Sequence, residues 1–197
     1  MWYQSLLSVL KSVDRYRSIV QALLKFNTYR CDKASNALTG NKMTTPLLSA
    51  LTVAKHILAR MEERSQPVNN LKLQKLLYYT QAWYLGFYGV PLFHERIQAW
   101  AKGPVVPVVF QRYKHYGYMN IRNSPTDAIE PLPPEVSEHL NDVLDAYAHY
   151  SGSDLSTMTH VEDPWTEARK GLEDAAASNR VISNDTMKRY YSNRVNE

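Results

Sequence analysis

The feature that most constrains this chain is a pair of long apolar stripes at helical spacing. Leu47, Leu51, Ala54, Leu58 and Met61 recur at alternating four- and three-residue steps, which puts them on one face of a helix. Glu62, Glu63, Arg64, Ser65 and Pro67 follow as a charged exit with a breaker. A second pattern starts at Asn70 and runs through Leu73, Leu76, Leu77, Tyr84 and Phe87, with Gly86 or Gly89 ending it and Lys72 and Lys75 on the opposite face. Two such helices can bury each other's stripes, so the chain reads as mainly α. Thr44 and Thr45 before Pro46 give the first helix a cap and a proline in its first turn.

After the second helix the pattern changes. Over 95–100, Ile97 and Ala99 alternate with Arg96, Gln98 and Trp100, the period of a short strand. Gly103-Pro104 is read as a turn, followed by a helix through Val105, Val109, Arg112 and Tyr116 that stops at Gly117. Residues 120–134 hold four prolines and form a connection, in which Ala128 and Ile129 are the expected partner of the strand. Val136, Leu140, Val143, Leu144 and Tyr147 predict a helix over 135–150. Short helices are expected around 154–160, 164–170 and 184–192, with Asp163-Pro164 and Ser183 as caps. The expected architecture is a single helical domain with a minor two-stranded β element, plus an N-terminal helical extension.

Charge locates that extension. Residues 1–42 carry seven Lys or Arg against Asp14 and Asp32, and residues 43–197 carry sixteen against seventeen acids. The basic character therefore belongs to the first segment, and a near-neutral body makes a poor phosphate binder. Leu6, Leu10, Val13, Val20 and Leu24 give that segment one helical pattern, and Asn36 to Asn41 read as a linker. The expected division is 1–42 as a basic extension and 43–197 as the working domain. Met43 resembles a start, which leaves open whether the first 42 residues lie upstream of it.

Nothing in the sequence demands catalysis. Cys31, the lone cysteine, excludes an internal disulfide and a four-cysteine zinc site, and one thiol fits a reducing cytoplasm. No run of about 18 apolar residues is present to span a bilayer. His160-Val161-Glu162-Asp163 lacks the spacing that aims two ligands from one helical face. His94-Glu95 is an adjacent pair, and neighbours on a strand point to opposite faces. No nucleophile elbow and no glycine-rich phosphate loop occur. No catalytic residue, cofactor or metal is expected.

Two segments combine rigid turns with large aromatics. One is Trp100-Ala101-Lys102-Gly103-Pro104-Val105-Val106-Pro107, whose following helix would start with unsatisfied amides able to take a carboxylate or carbonyl oxygen of a partner. The other is Thr159-His160-Val161-Glu162-Asp163-Pro164-Trp165. Both are equally readable as fold punctuation, with Trp100 as a core plug.

Asn70-Leu71-Lys72-Leu73-Gln74-Lys75-Leu76-Leu77-Tyr78-Tyr79 with Pro91-Leu92-Phe93-His94-Glu95, then the two segments above with Leu155 between them, resemble the SocA/Panacea antitoxin domain, also met in GepA-like phage-associated proteins. The resemblance runs from about 44 to 192, in the family's order and spacing. It implies a mainly helical, non-enzymatic cytoplasmic protein that pairs with a toxin encoded nearby, either masking it or handing it to a cytoplasmic protease. The signature positions it implies are Trp100, Gly103, Pro104, Val105, Pro107, His160, Pro164 and Trp165. The rival readings are a DNA-binding autoregulator using 1–42, without a helix-turn-helix signature, and a hydrolase built on His94, His115 and His160.

Overall fold

The computed structural model describes residues 47–122 and 129–195. The chain divides into units 1–45 and 46–197, and the described residues all belong to the second. The basic segment with Cys31, the start-like Met43, the expected cap at 44–46 and Ala128 lie outside the described residues.

Helix α1 spans Ala50–Glu63, starting one turn later than its stripe suggests. Leu48 is held extended against the 92–93 segment, with its amide donating to Leu92 O (3.0 Å). The helix can begin only after that bridge. Ser49 caps it by accepting from the Thr52 amide, and Glu95 reaches in to accept from the Ala50 amide at 2.8 Å. Leu47 is accordingly 53% exposed. The face that packs inward is Ala50, Val53, Ala54, Ile57, Leu58 and Met61.

Helix α2, Asn70–Tyr88, is the axis of the molecule. Asn69 caps its start, and Gly89, in the left-handed region at φ 72°, ends it. Every residue from 72 to 85 is buried. A helix covered on all sides needs partners for each polar side chain it carries, and α2 has them. Lys72 Nζ donates to Ala148 O (2.7 Å), Thr80 Oγ1 to Leu76 O (2.7 Å), and Gln81 bonds the backbone at Leu92 and Phe93 three times. The lysines expected on an opposite face are on it, but that face is also interior.

Strands β1 (Gln98–Trp100) and β2 (Gly103–Val105) form an antiparallel hairpin, pairing Gln98 with Val105, Ala99 with Pro104 and Trp100 with Gly103. This corrects two expectations. The turn is Ala101-Lys102, so Gly103-Pro104 is strand and not turn, and β1 pairs with β2 instead of with Ile129. Proline lacks an amide to donate, which suits β2 as the edge. Along the far side of β1 runs the 180–182 segment, with Ala99 N–H donating to Arg180 O and Ile182 N–H to Ile97 O, both at 2.8 Å.

Helix α3 is short, Pro107–Tyr113, and runs into a 3-10 turn at Lys114–Tyr116 that Gly117 terminates at φ 55°. Helix α4, Pro134–Tyr147, buries the predicted stripe completely. Then come α5 (Gly152–Thr159), opened by a Ser151/Asp154 capping box, α6 (Asp163–Ala168) and α7 (Asn184–Val195). Asp163 does not cap α6: Glu162 is the residue before it and makes no side-chain cap bond, being committed elsewhere. Ser183 Oγ accepts from the Asp185 amide as expected. These are the seven α-helices among the described residues, and none is long and apolar enough to cross a membrane.

Helix α2 touches α1, α3, α4, α5, α7 and β2. Its closest approach is to α7 at Gly86, where a Cβ would lie 2.8 Å from Tyr191 Cβ and 3.1 Å from that residue's carbonyl carbon. Neither atom can step aside without moving α7. Gly86→Val is therefore expected to destabilise the fold by roughly 1–3 kcal/mol through overpacking. Urea unfolding checks this, and an unchanged midpoint would show that the helices can separate at little cost.

Candidate functional site

The two aromatic segments, separated by more than fifty residues in sequence, meet around the hairpin. Five backbone groups of the 99–106 stretch are held by side chains from outside it. Arg169 Nη1 donates to Ala99 O (3.0 Å), Trp165 Nε1 to Trp100 O (3.0 Å) and Ser156 Oγ to Lys102 O (2.7 Å). Lys75 Nζ donates to Pro104 O (3.1 Å), and the Val106 amide donates to Gln74 Oε1 (2.8 Å). The hairpin is thus seated in a socket made by α2, α5 and the α6 region.

The socket's second layer is aromatic and cationic. His160 stacks on Trp165 with centroids 4.1 Å apart and planes at 19°, and the Arg169 guanidinium lies 5.0 Å from the Trp165 ring centre. Burial, then nearby Lys75 and Arg169, lower the His160 pKa below its ordinary value and so favour the neutral ring. Lys75 is completely buried, and that burial brings its ammonium down to about 7. Gly103 has to be glycine for two reasons. Its φ is +98°, and a Cβ there would lie 2.7 Å from Lys75 Nζ and 2.8 Å from Thr159 Oγ1.

Glu162 turns away from His160, which dissolves the metal-like appearance of 160–163. Its carboxylate is buried and accepts from three phenols: Tyr78 (2.7 Å), Tyr191 (2.8 Å) and Tyr79 (3.2 Å). This knot ties α2 and α7 to the junction between α5 and α6. Burial raises the Glu162 pKa to about 7 against the opposing pull of the tyrosine hydrogen bonds. Among the described residues no three of His, Cys, Asp or Glu gather as metal ligands.

The sequence-derived positions therefore sort by depth. Gly103, Pro104, Val105, Pro164 and Trp165 are buried, while Trp100, Pro107 and His160 are half-buried. Trp100 is not a core plug; its indole donates to Gln98 Oε1 (2.8 Å) and packs edge-on against Phe110 at 4.9 Å. Of the amides at the start of that helix that could take a partner's oxygen, that of Val106 donates to Gln74 Oε1, and Pro107, the first helical residue, has none. His94 and Glu95 approach each other, Nε2 to Oε1 at 3.6 Å, because they precede the strand and escape its alternation. Glu95 is nevertheless occupied at the start of α1, and His94 Nδ1 lies 3.0 Å from Leu48 O. Lys75, Glu162 and Arg169 were missed as parts of the socket. Two lysines inside the apolar run 71–79 were the available signal for the first.

Beside the socket, Trp100 and Phe110 wall a largely apolar cavity of about 430 Å³ that also involves Val105, Leu71 and Tyr118. Here a signature residue, Trp100, meets the surface in company with other apolar groups.

The family pattern described as "Antitoxin SocA-like, Panacea domain" matches residues 73–166, from α2 through α6. Antitoxin SocA of Caulobacter vibrioides (strain NA1000 / CB15N) is 31% identical over 135 residues, which cover 63% of this chain and 72% of that protein. The chain belongs to the SocA/Panacea family. No solved structure matches it. The matched region contains the whole hairpin, α5 and Trp165, so the SocA/Panacea pattern covers the socket except for Arg169. Membership of this family supports an antitoxin role.

Proposed function

We propose that this chain is an antitoxin that neutralises a cognate protein toxin, encoded next to it, by binding it directly in the cytoplasm. The observation that carries this reading is the 31% identity with Antitoxin SocA, which spans 72% of that relative. A non-enzymatic role is supported by how the site spends its polar groups. Lys75, Gln74, Ser156, Trp165 and Arg169 all hold hairpin backbone, and Glu162 holds three tyrosines. Such groups build a shape and are not poised for proton transfer.

The test is to express the adjacent reading frame alone and together with this chain. Growth arrest by the first and recovery with the second are expected; arrest that this chain never relieves would sink the proposal. Masking and delivery to a cytoplasmic protease are then separated by the toxin's half-life, which only delivery shortens.

The basic segment 1–42 is proposed to be dispensable for folding and for rescue. A protein beginning at Met43 should unfold cooperatively, retain more than about half of ordinary domain stability, and still restore growth. A non-cooperative melt would assign the segment to the core. The same truncation should abolish whatever weak, salt-dependent DNA binding the full chain shows.

A further inference from the structure

The cavity beside Trp100 has a composition that selects its occupant. Its apolar wall is formed by Trp100, Val105, Phe110 and Tyr118, and two exposed lysines, Lys102 and Lys114, line it as well. No carboxylate is found among the described residues that line it. The domain around it is near neutral, with sixteen basic against seventeen acidic residues over 43–197. The positive character of this spot is therefore local and unbalanced. Tyr118 is 87% exposed and Met119 70%. Adjacent large apolar groups left in water mark interaction surfaces. At about 430 Å³ the cavity is large enough to enclose apolar side chains of an incoming segment.

We propose that this groove is where the toxin docks, through a segment that inserts apolar or aromatic side chains between flanking carboxylates. The assignment rests on the antitoxin reading above and adds the surface and the chemistry it recognises. The apolar wall supplies the buried anchor, and Lys102 and Lys114 supply register and discrimination against basic segments. Single-stranded nucleic acid, which also meets lysine and aromatic groups, is the weaker occupant. Trp100 is turned edge-on to Phe110 (interplanar angle 64°) and two lysines make a short phosphate track.

The experiment has two arms, both on the full chain. In the first, short blocked peptides holding a Leu-Phe pair between acidic residues, or between lysines, are titrated while the Trp100 indole N–H resonance is followed by NMR. The acidic peptide should shift it and the lysine peptide should not. Lys102→Glu with Lys114→Glu should weaken the acidic peptide by at least about tenfold and admit the basic one. No response to the acidic peptide, equal response to both, stronger binding of an oligothymidylate, or the same shifts on concentrating the protein alone would each overturn the assignment. In the second arm the toxin is the neighbouring frame's product, and rescue is scored with Tyr118→Glu and with the two-lysine variant. Both sites are exposed, so folding should survive and is verified by circular dichroism. Loss of rescue with the fold intact is expected. Full rescue by both variants would dismiss the groove while leaving the antitoxin reading in place. Failure of the unaltered chain to rescue would dismiss that reading, and the peptide arm would still judge the groove.

Discussion

Gly103→Ala should be among the most damaging single-methyl additions in this domain. The alanine must hold a backbone at φ +98° that L side chains resist, at a cost of order 1–3 kcal/mol. Its methyl must also fit where Lys75 Cε, Lys75 Nζ and Thr159 Oγ1 lie within 2.7–2.8 Å of the Cβ position. Lys75 cannot swing out, because it is wholly buried in α2, and Thr159 is buried in α5. Overpacking adds roughly 1–3 kcal/mol. The sum is a large part of the ~5–15 kcal/mol that holds a domain together. Urea denaturation should show a large drop in midpoint, and partner binding should fall with it because the hairpin that carries Trp100 is displaced. An unfolding free energy within about 0.5 kcal/mol of the parent would mean the socket is far looser than its contacts indicate.

Stability should also depend on pH in a way two buried groups dictate. Glu162 titrates near 7 when folded and near 4.5 when unfolded. Between those values the unfolded chain has released a proton that the folded chain keeps. Stability therefore falls as pH rises from about 4.5 to about 7, by on the order of 3 kcal/mol, and is flat above. Lys75 works in the opposite sense. It titrates near 7 folded and near 10.5 unfolded, so the unfolded chain holds the extra proton and stability rises with pH across that interval. His56, His149 and His160, all lowered chiefly by burial, add stability as pH rises toward 6.5 and blur the acid arm. Difference curves remove them. Glu162→Gln, which keeps one oxygen acceptor and, like the protonated carboxyl, presents a donor at the other position, should match the parent near pH 5 and exceed it by a few kcal/mol near pH 8. Lys75→Met should exceed it most below pH 7, with the gain fading towards pH 10. Parallel curves for parent and variants would show that both groups find solvation the structure does not reveal.

What the sequence disclosed and what it hid follow from how local each decision is. Helices α2 and α4 were legible because their stripes, and for α2 the end signal at Gly89, act within one or two turns. The alternation at 95–100 likewise revealed which residues of β1 face inward. The start of α1 was not legible, since the Leu48 bridge to Phe93 crosses 45 positions. The hairpin was misread because Gly103-Pro104 is ordinarily turn chemistry, and only Lys75, Gln74 and Ser156 from distant helices hold it as a strand edge. The interior fate of Lys75 and Glu162 was hidden for the same reason: Lys75 meets Pro104, 29 positions on, and Glu162 meets Tyr78 and Tyr79, 84 and 83 positions back. For the site, the resemblance picked out Trp100, Gly103, Pro104 and Val105, which form the hairpin, and Trp165, which holds it from outside. The cavity-lining Phe110, Lys114 and Tyr118 had no motif to announce them, and Lys102 came only as part of the Trp100–Pro107 segment.

The encirclement of α2 has a consequence for how this protein comes into being. Tyr78, Tyr79 and Trp83 are covered by Tyr147 and Tyr191, which stack on or edge against their rings. A ribosome making roughly 5–20 residues per second finishes α2 about 5–20 s before Tyr191 emerges. During that interval α2, the most aromatic helix among the described residues, lacks the cover of Tyr191, and an early stop anywhere before α7 leaves it so. Cover for Tyr78 and Trp83 thus waits on Tyr191, more than a hundred residues further along the chain.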